Sequence, residues 1–141
     1  MNVNQNRIRI IRKGLPSDGP VAYWMSRDQR IHDNWALIYA QERALHAKAA
    51  LAIFFVLSPH FLEATARHYS FMVRGLQELE QELLRKQIYF ILEIGSPEDV
   101  IPKLCHIYQV RELITDFDPL KIKRTWKQRI GGKITIPFFE V

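Results

Sequence analysis

Tyr23-Trp24-Met25-Ser26-Arg27-Asp28-Gln29-Arg30-Ile31-His32-Asp33-Asn34-Trp35-Ala36-Leu37 is the stretch that decides the fold. Residues 21–25 are an apolar run of strand length. The polar and charged residues 26–30 then interrupt it, and Asp33-Asn34 opens a helical pattern. A buried strand, a charged loop and a capped helix start therefore follow one another within fifteen residues. In an α/β sheet, the loop leaving the carboxyl end of a strand is where ligands bind.

Working outward, strand and helix signals alternate. A helix is predicted over 34–48, with Trp35, Leu37, Ile38, Ala44 and Leu45 at helical spacing. The continuous apolar run 50–57 reads as the second strand, ended by Ser58-Pro59. The longest helix is predicted over 65–86, where Tyr69, Met72, Val73, Leu76, Leu79 and Leu83 form one apolar stripe. Residues 88–94 form the third strand, and Ser96 with Pro97 starts a helix reaching residue 108. Residues 110–115 are the fourth strand. Asp118 is expected to cap a helix that contains Pro119 and ends at Gly131-Gly132, before a fifth strand over 134–139. Five short apolar strands separated by helices predict a parallel sheet with helices on both faces, a Rossmann-like three-layer α/β/α fold. Right-handed crossovers leave strand orders 3-2-1-4-5 and 2-1-3-4-5 open.

With 141 residues, 48% apolar and 25% charged, the chain fits one globular domain, read as residues 20–141 behind a basic arm over 1–19. No apolar run approaches the length of about 20 residues that spans a bilayer, so no membrane partner is expected. Cys105 is the single cysteine, read as a small buried residue on a helix. Without a signal-peptide pattern, a reducing cytoplasm is the expected compartment. The net charge of +5 agrees with a nucleic-acid partner without requiring one. Arg7, Arg9, Arg12 and Lys13, and again Lys121, Lys123, Arg124, Lys127, Arg129 and Lys133, read as solvated basic faces, the second also a candidate DNA contact.

No glycine-rich phosphate loop, nucleophile elbow or metal-ligand spacing is present, and no catalytic constellation emerges. The strand-end loops remain: 25–28, 56–58, 93–96 and 116–118. Together they offer apolar side chains, hydroxyls, carboxylates, an arginine and helix-start N–H groups, a set suited to a flat, partly polar aromatic ligand. Asp33 is read as an N-cap, Arg30 as pairing with Asp28, and His32 as a loop hydrogen-bonder. Arg27 and Asp28, nearest the strand end, are the ligand neighbours.

The opening stretch resembles the first strand and loop of the DNA photolyases and cryptochromes. Four blocks carry the likeness: Trp24-Met25-Ser26-Arg27-Asp28-Gln29-Arg30; Phe61-Leu62-Glu63-Ala64 leading into the helix through Gly75-Leu76-Gln77-Glu78-Leu79; Thr115-Asp116-Phe117-Asp118-Pro119-Leu120 before a basic helix with Trp126; and Ile136-Pro137-Phe138-Phe139-Glu140-Val141. Their wording is most similar to the amino-terminal domain of class II cyclobutane-pyrimidine-dimer photolyases. The resemblance favours strand order 3-2-1-4-5. It implies an antenna chromophore, an 8-hydroxy-5-deazaflavin or a folate, serving a light-driven repair enzyme. By position, that pocket falls on Met25, Ser26, Arg27, Asp116, Phe117 and Asp118, with Lys123 nearby. It further implies a partner, the carboxyl-terminal helical domain that binds FAD and damaged DNA, whose segments are not found in these 141 residues. The chain alone is then expected not to repair dimers, and the face left by that domain to be apolar and prone to self-association. A stand-alone nucleotide-binding module and a non-catalytic scaffold are the alternative readings.

Overall fold

The computed structural model describes residues 3–26, 29–58 and 66–141, with backbone alone for 66–69. After a 3-10 turn, Gln5–Arg7, the elements are β1 (Arg9–Arg12), β2 (Val21–Trp24), α1 (Trp35–Ala47), β3 (Leu51–Leu57), α2 (Ala66–Arg85), β4 (Tyr89–Ile94), α3 (Pro97–Ile107), β5 (Glu112–Thr115), α4 (Lys121–Lys133) and β6 (Phe138–Glu140). They form one sheet of order β1-β6-β5-β2-β3-β4. Every neighbouring pair is parallel except β1 with β6.

The α/β class and the order of the five expected strands stand, but the sheet has six strands and is not wholly parallel. The added strand lies within the stretch expected to be an arm. Arg9-Ile10-Ile11-Arg12 carries only two apolar residues between arginines, too little for a strand signal. Its partner β6 lies at the far end of the chain, so pairing is decided by tertiary contact.

Alternation along the strands sorts the core into two layers. Val21, Tyr23, Ile53 and Phe55 face α1 and α2, where Leu37, Ala40, Leu76, Leu79 and Leu83 meet them. Ala22, Trp24, Phe54 and Val56 face α3 and α4, against Ile101, Leu104, Trp126 and Ile130. The apolar run of β3 is buried along its whole length, as expected of a central parallel strand. The chain crosses from one face to the other after β4, so β2 and β5 lie side by side at the topological switch point, where the crevice of an open α/β sheet forms. Thr115 Oγ1 donates to Trp24 O at 3.0 Å and ties the two strand ends together.

The caps differ from expectation. Asn34, not Asp33, caps α1: its Oδ1 accepts from Leu37 N–H at 3.0 Å, while Asp33 takes a left-handed φ of 52° in the turn before it. Ser96 is the N-cap of α3 without a side-chain bond. Pro119 precedes α4 instead of lying inside it, and Asp118 Oδ1 accepts from Leu120 N–H just ahead of the helix. Gly131 and Gly132 belong to the last turn of α4. A Cβ on Gly131 would come within 3.2 Å of Ile11 Cγ2, so helix and edge strand pack closely there. Cys105 is buried on α3, and burial pushes its thiol up to about 12, far from a reactive thiolate. No helix among the described residues is long and apolar enough to cross a membrane.

Candidate functional site

A small polar network organises the switch point. Tyr23 on β2 donates its hydroxyl to Asp116 Oδ2 at 3.1 Å. Asn34 Nδ2 donates to the Tyr23 hydroxyl at 3.0 Å and to Arg30 O at 2.9 Å, so the residue that caps α1 also fixes the returning loop. From α4, Lys127 Nζ reaches over the sheet end to Asp116 O and Glu140 Oε2, both at 2.7 Å. Its side chain and that of Glu140 are almost fully buried. Lys123, one turn earlier, donates to Ser26 O at 3.1 Å and pairs with Asp118 Oδ2 at 2.9 Å.

The solvated basic face expected of the last helix is corrected at these two lysines, which are both buried. Residues 123, 126, 127 and 130 recur at helical spacing, and Trp126 and Ile130 are core residues. The period carried the signal, and the charge hid it. Arg129 pairs with Glu98 at 2.7 Å and Lys133 with Asp99 at 3.1 Å, so part of the remaining basic charge of α4 is engaged by α3. For Asp118, burial pushes the carboxyl up. The Leu120 N–H and the Lys123 ammonium, with Lys127 behind them, outweigh it and hold the carboxyl below its ordinary value.

The expected site residues divide between two concavities. Met25, Ser26 and Lys123 line a pocket at the ends of β2 and β3 together with Gln29, Ser58, Met72, Pro97, Trp24 and Trp126. Asp118 joins them through its bond to Lys123. Asp116 and Phe117 line a second cleft with Arg7, Arg9, Trp35 and Glu140. There the Arg7 guanidinium stacks 5.1 Å from the Trp35 ring centroid. Arg27 and Asp28, and with Asp28 the expected Arg30 pairing, lie outside the described residues; Arg30 Nη2 donates to Asp33 O at 3.2 Å. His32 Nε2 lies 3.2 Å from Glu82 Oε1, tying the loop to α2. Gln29, Met72, Pro97 and Trp126 carry no sequence signal that marks them as pocket residues. They come from four separate segments, and only the fold brings them together.

The first pocket offers a cation, two hydroxyl-bearing residues, an amide and an aromatic wall, a donor set that fits a planar, partly anionic ring. Its cavity between described residues is about 30 Å³, room for a water-sized group. A tricyclic ring enters only if the side chains at its mouth move.

The sequence profile of the family described as DNA photolyase matches residues 21–139. A deoxyribodipyrimidine photo-lyase of Potorous tridactylus is 40% identical over 98% of this chain and 27% of its own length. One of Arabidopsis thaliana is 42% identical over 92% of this chain, again 27% of its own length. The chain thus spans about a quarter of these relatives. A cryptochrome structure from Synechocystis superposes with a TM-score of 0.71 at 19% identity, covering 84% of this chain and 26% of that one. A universal stress protein from Pseudomonas aeruginosa shares the fold at a TM-score of 0.65 and 10% identity, over 95% of this chain and 51% of that one.

Proposed function

This chain belongs to the DNA photolyase family, and from that premise we propose that it is an antenna-binding α/β domain serving light-driven repair of pyrimidine dimers. The observation that carries the reading is the switch-point pocket, where Lys123 closes onto Ser26 O and Asp118 beneath Trp126 and Met25. An 8-hydroxy-5-deazaflavin, or a folate, supplies absorption in the violet to blue that can be passed to a flavin. If such a ring is bound, Lys123, held in place by Asp118, would meet its anionic edge, Ser26 would hydrogen-bond to it, and Met25 and Trp126 would keep water from its face. Binding an anionic group would require Lys123 to exchange its present partners Ser26 O and Asp118, which limits the net gain. The resemblance assigns FAD and damaged DNA to a helical domain outside the matched residues 21–139, and the role proposed for these residues is antenna binding, not repair.

The test is reconstitution. The purified chain is incubated with 8-hydroxy-5-deazaflavin or a reduced folate, desalted, and read for retained absorbance and thermal stabilisation. Retention of one, weakened at least tenfold in Lys123→Ala, is the expected result. No retained absorbance and no stabilisation with either compound rejects the antenna reading. Repair of dimer-containing DNA by this chain under blue light rejects the division of labour.

A further inference from the structure

Among the described residues, no strand pairs with the outer edge of β4. Gly95 N–H is bonded to Leu57 O at 3.0 Å, so alternation turns the backbone groups of Phe90, Leu92 and Ile94 away from β3 and out of the sheet. This edge is apolar as well as unpaired: Tyr89 is 66% exposed, Leu92 46% and Ile94 60%. Its one charge is Glu93. Beside it, α2 leaves a stripe of Val73, Gln77, Glu80 and Leu84 over two grooves of about 460 and 550 Å³ that run along the edge. Leu84 is 74% exposed. Proteins usually blunt such an edge with lysine, proline, a bulge or a covering segment.

We propose that β4 pairs antiparallel with β4 of a second copy of this chain, joining two sheets into one. The occupant is identified by the chemistry of the edge, which is complementary to itself reversed. A two-fold axis normal to the sheet at Ile91 sets Ile91 against its own copy. It sets Phe90 against Leu92, Ile88 against Ile94, and Tyr89 against Glu93. Every apolar side chain then meets an apolar one, and the single carboxylate meets a phenol. In this register the outward-turned residues are those that face each other as hydrogen-bonded pairs. The stripe on α2 obeys the same axis independently. Reversed, Val73 meets Leu84 and Gln77 meets Glu80, so the carboxylate accepts from an amide and the ends are apolar. Such an isologous interface closes on itself, and the two edges that remain are the β1 strands with Arg9 and Arg12. It is separate from the switch-point pocket and does not depend on the antenna reading.

Sedimentation across a micromolar to millimolar range tests the pairing. The expected result is a monomer–dimer equilibrium in the unaltered chain. Leu92→Lys abolishes the dimer, with the circular dichroism of the folded chain unchanged. Register is tested by cross-linking: mixed Val73→Cys and Leu84→Cys chains form a disulfide-linked dimer under mild oxidation, and neither variant alone does. A monomer throughout the range overturns the proposal, as does a dimer that survives Leu92→Lys. Cross-linking of either single variant with itself, or a dimer lost in Phe71→Ser but kept in Leu92→Lys, places the contact elsewhere and also overturns it.

Discussion

The two edges of the sheet are finished in opposite ways. At one, β1 presents Arg9 and Arg12 and is interrupted by a bulge between Ile10 and Arg12. Arg12 Nη1 anchors it to Gly131 O at 2.9 Å, and the strand behind it is held by the buried Lys127–Glu140 pair. At the other, β4 presents Tyr89-Phe90-Ile91-Leu92-Glu93-Ile94 with no bulge and no basic residue. The half built from β1, β6, β5 and α4 uses its polar groups to fasten itself. The half built from β4 and α2 leaves apolar groups for something else. Stability is therefore concentrated in the first half and association in the second, and substitutions should separate the two properties.

The largest effect is expected at Lys127. Lys127→Met removes the ammonium from a buried carboxylate and should cost about 3–5 kcal/mol, read by urea unfolding. If the loss comes from the stranded Glu140 charge, the double variant Lys127→Met/Glu140→Leu recovers most of it. A double variant as unstable as the single one would mean that the bond to Asp116 O, not the pair, is what matters.

Glycine substitutions sharpen the comparison with opposite signs. Gly14 has a φ of 50°, and a Cβ there would lie 2.4 Å from the Ile136 carbonyl carbon. Gly14→Ala should destabilise by about 1–3 kcal/mol through strain alone, and more if β6 must shift. Gly75 lies inside α2, and a Cβ added there would meet nothing within 4 Å. Gly75→Ala should therefore stabilise by about 0.5–1 kcal/mol, the helix propensity difference. Paired melting curves check both signs.

A smaller effect concerns acid. Asp118 is held below its ordinary value in the folded chain, so its contribution is present above the unfolded carboxyl value and is lost as pH falls through the folded one. Lys123→Met removes one of the groups that hold it down. The variant should then lose this contribution at higher pH than the unaltered chain, seen as an acid limb of melting temperature shifted upward in pH. Identical acid limbs would show that the Leu120 N–H bond suffices.

The physical reasons for what the sequence disclosed differ by element. The β3 run Leu51-Ala52-Ile53-Phe54-Phe55-Val56-Leu57 is apolar on both faces because both faces are covered, so its place at the centre was legible. The 3.6-residue stripe of α2 was legible because only one face of that helix is covered, by Leu76, Leu79 and Leu83. β1 was not, since two isoleucines between arginines form a strand only when β6 is beside them. The choice between Asp33 and Asn34 as cap depended on a left-handed φ at Asp33 that no spacing rule discloses. At the site, Met25, Ser26 and Lys123 line one pocket, whereas Asp116 and Phe117 face the cleft of Arg7 and Trp35. Successive residues after a strand end diverge, and a loop named as one unit conceals that.

The smallest effect is expected where the fastened edge is most visibly charged. Arg9 lies 3.6 Å from Glu140, but its side chain is more than half exposed. An ion pair in that position gains little over solvation and is screened by salt, so Arg9→Ala should change stability by about 0–1 kcal/mol. Glu140 keeps Lys127 at 2.7 Å in that variant, so no buried charge is stranded. The edge is held by its backbone ladder and by Lys127, and Arg9 serves instead to keep another strand from docking on β1. The variant should therefore melt almost as the unaltered chain does yet aggregate sooner on heating, followed by light scattering. A loss comparable with that of Lys127→Met would show the exposed pair, not the buried one, to be the fastening.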